Sequence, residues 1–122
     1  MNKYRNELNE YLGMEFHSKA EKERYIDLLL MEKAGEIRDL KRQVKFDLLP
    51  TMRGKYRTER AVKYYADFTY YKVNPEGKDE YVVEDVKSEA TRKLPDYKLK
   101  RKLMLYRKDI SIYEYVTERK KK

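Results

Sequence analysis

The sequence predicts an α/β fold in which a small mixed β-sheet is flanked by helices, with the core element order αβββαβ. Three observations lead to this prediction. Two segments alternate β-branched or aromatic residues with polar residues, which is typical of half-buried strands. Segments with helical periodicity lie before and after these strands. A last alternating segment follows, and the 122 residues suffice for one domain with a modest core.

The first helix is predicted over residues 18–34. Ser18 is a favourable N-cap, Glu21 follows at the spacing of a capping box, and Gly35 is a suitable C-cap. Its apolar face consists of Tyr25, Ile26, Leu28 and Leu29. Residues 1–17 are predicted to form an irregular or partly helical N-terminal arm.

Three strands are predicted next, over residues 44–49, 60–73 and 80–87. In the first two, apolar residues recur at every second position, so each strand has one core-facing side. These alternating residues are Val44, Phe46 and Leu48 on the first strand, and Val62, Tyr64, Ala66, Phe68 and Tyr70 on the second. Residues 74–77 carry a turn signal that separates the second strand from the third.

A second helix is predicted over residues 97–108, followed by a last strand over residues 110–116. Leu99, Leu103 and Tyr106 recur at i, i+4 and i+7 of this helix. This spacing predicts that the three side chains form the core-facing stripe of the helix, with basic residues on either side.

Positive charge is concentrated near the end of the chain. The net charge is +8, and residues 92–122 hold 12 Lys and Arg residues against 4 Asp and Glu residues, whereas residues 1–91 are balanced. Residues 118–122 are predicted as a basic tail behind a single domain at residues 18–117. The second helix carries Lys98, Lys100, Arg101, Lys102, Arg107 and Lys108. Such a surface is either a solubilising face or the footprint of a protein that binds a phosphate backbone.

The composition excludes several classes of chemistry. The sequence has no cysteine and one histidine, which excludes disulfides, thiolate chemistry and a histidine metal cluster. No apolar run approaches the roughly 18 residues of a membrane span, and the first residues lack the apolar segment of a signal peptide. We therefore expect a cytoplasmic protein without membrane contact.

Two acids and a lysine on the second and third predicted strands suggest a metal site. Asp85 and Lys87 point to the same face, about 6–7 Å apart at Cα, whereas Glu84 points to the other face, where pairing with a basic residue is expected. If the two strands pair, Asp67 reaches the same face as Asp85. These carboxylates, with the backbone carbonyl of Val86, are predicted to bind Mg²⁺, for which Mn²⁺ can substitute. A register shift of one residue would separate the two acids.

Lys87, beside such a metal, is predicted to orient the attacking water or to offset charge on a phosphodiester. This element order, with an acid on the second strand and Asp-Val-Lys on the third, resembles the PD-(D/E)XK nuclease superfamily. Within it, about residues 3–116 resemble a phage-borne family of small uncharacterised proteins. The residues that carry this resemblance are Phe16-His17-Ser18, Glu21, Arg24-Tyr25, Gly35-Glu36-Ile37, Leu40, Gln43, Phe46, Ala66-Asp67-Phe68 and Val83-Glu84-Asp85-Val86-Lys87. The resemblance implies that Glu21 joins the two acids around the metal and that DNA is the substrate.

The candidate residues also have ordinary structural interpretations, which the sequence leaves open. Glu21 completes a capping box whether or not it binds a metal. Asp85 and Lys87 also fit a plain ion pair, and Gln43 also fits a polar residue at the start of a strand. The predicted contacts with nucleic acid are Gln43, Thr91, Lys98, Lys100, Arg101 and Lys102.

The expected function is that of a Mg²⁺-dependent DNA endonuclease from a phage or prophage, acting in the cytoplasm of a bacterial host. Because the chain has little room for a sequence-reading module, recognition of DNA shape is expected. By analogy with small members of the superfamily, the substrate is branched DNA such as a Holliday junction, and the enzyme is a homodimer. The alternatives are a non-catalytic nucleic-acid-binding protein and a protein-binding phage effector on the same fold.

Overall fold

The computed structural model describes residues 10–11 and 13–117. Residues 1–9 and 12 of the predicted arm, and the predicted basic tail at 118–122, lie outside the described residues. The elements in chain order are β1 (Glu10–Tyr11), β2 (Met14–Glu15), α1 (Lys19–Lys33), β3 (Ile37–Leu49), β4 (Met52–Arg53), β5 (Thr58–Glu59), β6 (Val62–Lys72), β7 (Glu80–Lys87), α2 (Pro95–Lys108) and β8 (Tyr113–Val116). The predicted α/β class is confirmed. The predicted order of two helices and four strands is also found.

The main sheet is mixed and has four strands in the order β3-β6-β7-β8. β6 runs antiparallel to both β3 and β7, and β8 lies parallel to β7. α2 makes the crossover between these two parallel strands, which need a long connection. β1–β2 and β4–β5 form two separate short antiparallel pairs, so the described part of the arm is extended where irregular or partly helical structure was predicted.

Helix α1 begins and ends where its sequence signals predict. The Ser18 side chain accepts a hydrogen bond from the Glu21 backbone N–H, which satisfies one free donor of the first turn. Beyond the C-cap residue Ala34, Gly35 has a φ of 81°, a left-handed conformation that glycine adopts without strain. Tyr25 and Leu28 are buried against the sheet.

Strand β3 is much longer than the predicted strand at residues 44–49. Its added first half is irregular, because Asp39 and Gln43 have φ angles of 55° and 51° and the register with β6 shifts between Arg38 and Lys41. Each irregularity disturbs the alternation of side chains, and alternation is the signal by which a strand is found in a sequence. The prediction therefore covered only the second half of β3, which itself contains a register shift between Asp47 and Leu49.

Two apolar cores lie on opposite faces of the sheet. Tyr25 and Leu28 of α1 pack with Phe68 and Tyr70, whereas α2 packs over a second cluster that includes Tyr64. The remaining buried members of the second cluster are Leu48, Ala66, Val83, Tyr97, Met104 and Ile112. Tyr64 and Ala66 of β6 thus belong to one cluster, and Phe68 and Tyr70 belong to the other. The side chains of this alternating row therefore change from one face of the sheet to the other at Asp67.

The predicted core stripe of α2 is wrong. Leu99 and Tyr106 are 58% and 83% exposed, and the buried residues are Tyr97 and Met104. Apolar residues lie on two sides of this helix. At 100° per residue, Leu99 and Tyr106 are about 160° around the helix from Tyr97 and Met104. The side with Tyr97 and Met104 packs against the sheet, and Leu103 is partly buried at the edge of this second cluster.

The last strand is shorter than predicted. β8 comprises Tyr113–Val116, although Ile112 ahead of it is buried in the second cluster and Ile110 packs against that cluster. In the part of the chain that the structure describes, no helix has the length and apolarity needed to cross a membrane.

Candidate active site

The candidate site lies where the sheet opens between β6 and β7. The last paired residues of these strands are Phe68 and Glu84, and the same register places Asp67 opposite Asp85. Beyond this point β6 stays paired with β3, and β7 stays paired with β8. The register on which the predicted acid pair depends is therefore the favourable one, and the two carboxylates lie at the opening.

A cleft of about 510 Å³ is centred on this opening. It is bounded by the start of α1, the strands β3, β6 and β7, and the start of α2. Its lining residues are His17, Ser18, Glu21, Gln43, Tyr64, Tyr65, Asp67, Asp85, Val86, Lys87, Leu94, Pro95, Asp96, Tyr97 and Lys100. All four predicted catalytic residues thus face one cavity although they come from three separate elements.

Glu21 stabilises the start of the helix and also faces the cleft. Its Oε1 accepts a hydrogen bond from the His17 backbone N–H at 3.1 Å, and its Oε2 accepts one from Gln43 Nε2 at 3.0 Å. The side chain of Glu21 is buried, and burial followed by the charge of Asp67 raises its pKa above the ordinary value. The two interpretations of Glu21 are therefore compatible, because the helix-start contact occupies only one carboxylate oxygen.

Asp67 lies at the centre of the site. Its Oδ2 accepts a hydrogen bond from the Val86 backbone N–H at 2.9 Å, which bridges the two strands where their ladder ends. Its Oδ1 is 3.4 Å from Gln43 Nε2, the same nitrogen that contacts Glu21. One neutral amide group therefore lies between two carboxylates. Gln43 holds this position with a left-handed backbone, a conformation that costs a non-glycine residue about 1–3 kcal/mol.

Asp85 and Lys87 form the ion pair that an alternating strand predicts. Lys87 Nζ is 3.3 Å from Asp85 Oδ2 and lies 4.1 Å from the ring centre of Tyr97. Burial first, and the charge of Asp67 second, raise the pKa of Asp85 to about 7, although the charge of Lys87 opposes this shift. Asp85 thus lies in a buried site whose negative charge exceeds what one lysine offsets.

The site is rich in carboxylates but does not form a ready three-ligand cage. Among residues 10–11 and 13–117, no group of three or more His, Asp or Glu side chains is arranged to hold a metal ion. The pKa shifts of Glu21 and Asp85 both include repulsion from Asp67, so the three acids interact electrostatically. Partial neutralisation by a cation would relieve this repulsion.

Glu84 occupies the opposite face, as predicted, and has a basic partner. Arg24 donates two hydrogen bonds to it, from Nε at 2.7 Å and from the terminal nitrogen at 3.0 Å. The Tyr70 hydroxyl donates a third at 2.6 Å. This buried cluster belongs to the α1 side of the sheet and does not face the candidate site.

The predicted nucleic-acid contacts are spread over different surfaces. Only Gln43 and Lys100 line the cleft. Arg101 forms an ion pair with Glu114 at 3.3 Å, and Lys98 and Lys102 are exposed elsewhere on α2. Thr91 exchanges hydrogen bonds with Ser88, so its hydroxyl stabilises the turn before α2.

The tyrosines of the cleft, Tyr64, Tyr65 and Tyr97, are not among the predicted site residues. Tyr64 is 4% exposed, and its hydroxyl is buried beside the carboxylate of Asp85. Burial, and then the charge of Asp85, raise its pKa well above the ordinary value. Tyr64 precedes Asp67 by an odd number of residues, so an ideal strand would put them on opposite faces. Because the side chains of β6 change faces at Asp67, both residues reach the cleft.

The comparisons with known proteins identify a family but no activity. No curated protein and no solved structure gives a significant match to the chain. One protein family matches residues 1–121, and its description is "Protein of unknown function (DUF1064)". Since this match extends over almost all of the sequence, the chain belongs to the DUF1064 family.

Proposed function

We propose that the protein is a metal-dependent DNA endonuclease of the PD-(D/E)XK type that hydrolyses phosphodiester bonds. The observation that carries the proposal is the convergence of Glu21, Asp67, Asp85 and Lys87 on one cleft. Structural carboxylates are normally paired when buried, because burial without a partner is costly. Here four acids, Glu21, Asp67, Asp85 and Asp96, share the cleft with two lysines, Lys87 and Lys100, and this excess of negative charge favours a cationic ligand.

The donor set fits a hard divalent cation such as Mg²⁺ or Mn²⁺. Magnesium prefers oxygen ligands, keeps several waters and is usually held by one or two carboxylates, so Asp67 and Asp85 suffice as protein ligands. Glu21 and the backbone carbonyl of Val86 are the further candidates. When bound, such an ion polarises a phosphoryl oxygen and lowers the pKa of a bound water.

Lys87 supplies the positive charge that this chain itself brings to the reaction. Its ammonium group is held between Asp85 and the face of the Tyr97 ring. A fixed cation at this point is suited to orient water or to offset charge that develops on a phosphate. Lys100, on the wall of the same cleft, is suited to hold the adjacent backbone phosphate.

The proposed substrate is branched DNA, such as a four-way junction, and the proposed assembly is a homodimer. Beyond the short β1–β2 and β4–β5 pairs, the described residues form no additional element that would read base edges. The exposed apolar residues Leu99, Leu105 and Tyr106 of α2 offer area for a subunit interface. Two copies related by a two-fold axis would supply one active site for each of two nicks.

One observation favours a second candidate, a nucleic-acid-binding protein without catalysis. Asp85 and Lys87 already form an ion pair, and no three described acids are arranged around one ion. A protein that only binds DNA would keep the basic surface of α2 without using the carboxylates.

The proposal is tested by incubating end-labelled four-way junction, plain duplex and single-stranded DNA with Mg²⁺, Mn²⁺ or Ca²⁺. Wild type is compared with Asp85→Asn and with a control, Asp47→Asn, whose side chain is exposed on β3. We expect symmetric nicking of the junction with Mg²⁺ or Mn²⁺. Asp85→Asn should lower the rate by on the order of 10²–10³-fold, and Asp47→Asn should leave it unchanged.

The other outcomes are equally decisive. Cleavage of all three DNAs would retain the nuclease and reject the preference for junctions. Binding without cleavage, unchanged in Asp85→Asn, would support the non-catalytic candidate. Absence of both binding and cleavage in the wild type would reject both.

A further inference from the structure

The β4–β5 hairpin is a two-stranded ribbon that stands out from the rest of the domain. Its strands, Met52–Arg53 and Thr58–Glu59, pair antiparallel, and the Gly54 N–H closes the turn by donating to the Arg57 carbonyl at 2.8 Å. Every residue from 50 to 60 is exposed, whereas the chain is half-buried immediately on either side of this range. The hairpin therefore contributes little to either apolar core.

The hairpin carries an excess of positive charge. Residues 50–60 hold four basic residues against one acidic residue, a net charge of +3. Arg57 is 3.9 Å from Glu59, the only acid of the hairpin. Among the described residues, Arg53 and Arg60 have no carboxylate partner. Their charges are therefore available to an anionic partner.

The tip of the hairpin combines a cation with an exposed aromatic ring. Tyr56 is 81% exposed, and Lys55 Nζ lies 5.3 Å from its ring centre. Basic residues interleaved with an exposed ring are typical of surfaces that bind nucleic acids, where cations contact phosphates and rings contact bases or sugars. A solubilising surface needs the charges but gains nothing from the ring.

The hairpin continues one wall of the candidate site. β3 and β6 lie directly before and after it, and they stay paired with each other beyond the point where β6 and β7 separate. At about 3.3 Å per residue, Val62 at the base of the hairpin lies roughly 16 Å along β6 from Asp67. Between them, the exposed Lys45 pairs with Tyr65, which lines the cleft, so both side chains lie on the same face. Positive charge thus continues from the cleft towards the hairpin.

We propose that the β4–β5 hairpin binds the DNA backbone beside the candidate site, with Arg53, Lys55 and Arg60 contacting phosphates of the duplex that extends from the cleft. The inference rests on the proposed function and adds to it a binding surface outside both the cleft and α2. A two-stranded ribbon is narrow enough to enter the major groove. Because the hairpin is exposed throughout, a groove can enclose it and present phosphates on both sides.

The test removes two charges from the hairpin and, in a matched control, two charges from another part of the surface. The hairpin variant is Arg53→Gln with Arg60→Gln, and the control variant is Lys72→Gln with Lys78→Gln. All four side chains are exposed, but Lys72 and Lys78 lie at and beyond the opposite end of β6. Net charge changes equally in the two variants, so a difference between them reports the position of the charges.

Binding is measured by fluorescence anisotropy of a labelled four-way junction in Ca²⁺ over a salt series. The arms are about 15 base pairs long, which at about 3.4 Å per base pair is enough to pass the hairpin. Cleavage of the same junction in Mg²⁺ and the melting temperature of each protein are measured alongside.

We expect the hairpin variant to bind roughly tenfold more weakly and its slope of log affinity against log salt concentration to fall by about 2. The control variant should keep the slope and stay within about twofold of the wild-type affinity. Both variants should keep the wild-type melting temperature, because exposed side chains contribute little to stability. In the hairpin variant KM should rise while the rate at saturating DNA is unchanged, because the hairpin does not touch the reacting bond.

Three results would overturn the inference. Unchanged affinity and slope in the hairpin variant would leave its charges as a solubilising surface or a contact for an acidic protein. Equal losses in the two variants would mean that net charge alone matters. A lower rate at saturating DNA would contradict a role confined to binding. If the wild type binds no DNA, the proposed function fails as well, whereas wild-type binding that the hairpin variant retains rejects this inference alone.

Discussion

Two neighbouring residues of β7 carry buried carboxylates into opposite environments. Glu84 is fully buried and receives three hydrogen bonds, two from Arg24 and one from Tyr70. Asp85 is equally buried but faces Asp67 across the opening of the sheet, with one lysine as its counter-ion. The first arrangement stabilises the fold, and the second leaves an interaction unsatisfied at a cleft.

The pKa shifts describe the same contrast. Burial alone would lower the pKa of Arg24, but the hydrogen bonds and charge of Glu84 outweigh burial and raise it. On the other face, burial and the charge of Asp67 raise the pKa of Asp85 to about 7, and Lys87 only partly opposes them. Perturbed carboxyl groups in a cleft are typical of functional sites, whereas matched ion pairs are typical of structural ones.

The largest expected effect on stability comes from breaking the matched pair. Arg24→Met leaves Glu84 buried without its counter-ion, and we expect the free energy of unfolding to fall by about 3–5 kcal/mol. Urea denaturation at pH 7 measures this change. Arg38→Met is the control, because the Arg38–Asp79 pair is solvent-exposed and its loss should change the free energy of unfolding much less. Equal effects of the two substitutions would mean that the Arg24–Glu84 pair is not a structural centre.

A smaller effect is expected from the pH dependence of the unmatched site. Because folding raises the pKa of Asp85 from 3.8 to about 7, the folded state binds the proton more tightly than the unfolded state. The contribution of Asp85 to stability is therefore greatest below about pH 4, falls as the pH rises to about 7, and then levels off. The contribution of Asp85 to this loss is up to about 4 kcal/mol.

Asp85→Asn should remove this contribution, so its stability between pH 4 and pH 8 should fall less than that of the wild type. Urea denaturation at several pH values gives both curves. Added Mg²⁺ should stabilise the wild type at pH 8 and should have little effect on the variant. Parallel pH curves for the two proteins would show that Asp85 is not the titrating group.

The smallest expected effect distinguishes two lysines of α2. Lys100 lines the cleft, whereas Lys102 is exposed on another side of the helix. Lys100→Ala should weaken junction binding a few-fold and reduce the slope of log affinity against log salt concentration by about 1. Lys102→Ala should change both quantities less. Fluorescence anisotropy in Ca²⁺ over a salt series measures this, and the reverse order would place the DNA on the outer face of α2.

Local patterns predicted the regular elements well, and tertiary irregularities explain the differences. Helix α1 and strand β7 were found because caps and alternation are short-range signals. The first half of β3 was missed because the positive φ angles of Asp39 and Gln43 interrupt alternation. The core-facing side of α2 was wrong because both sides of that helix carry apolar residues, and periodicity does not say which side meets the sheet.

The candidate site also has features that local sequence patterns predict and features that depend on tertiary structure. The sequence by itself determined that Asp85 and Lys87 share a face and that Glu84 opposes them, because side chains alternate along any strand. Only the tertiary structure decided that Asp67 lies opposite Asp85, that Glu21 reaches the same cleft, and that Tyr64 lines it. These three placements depend on strand register, on the docking of α1 and on the change of face within β6. Each of these is set by packing between residues far apart in the chain.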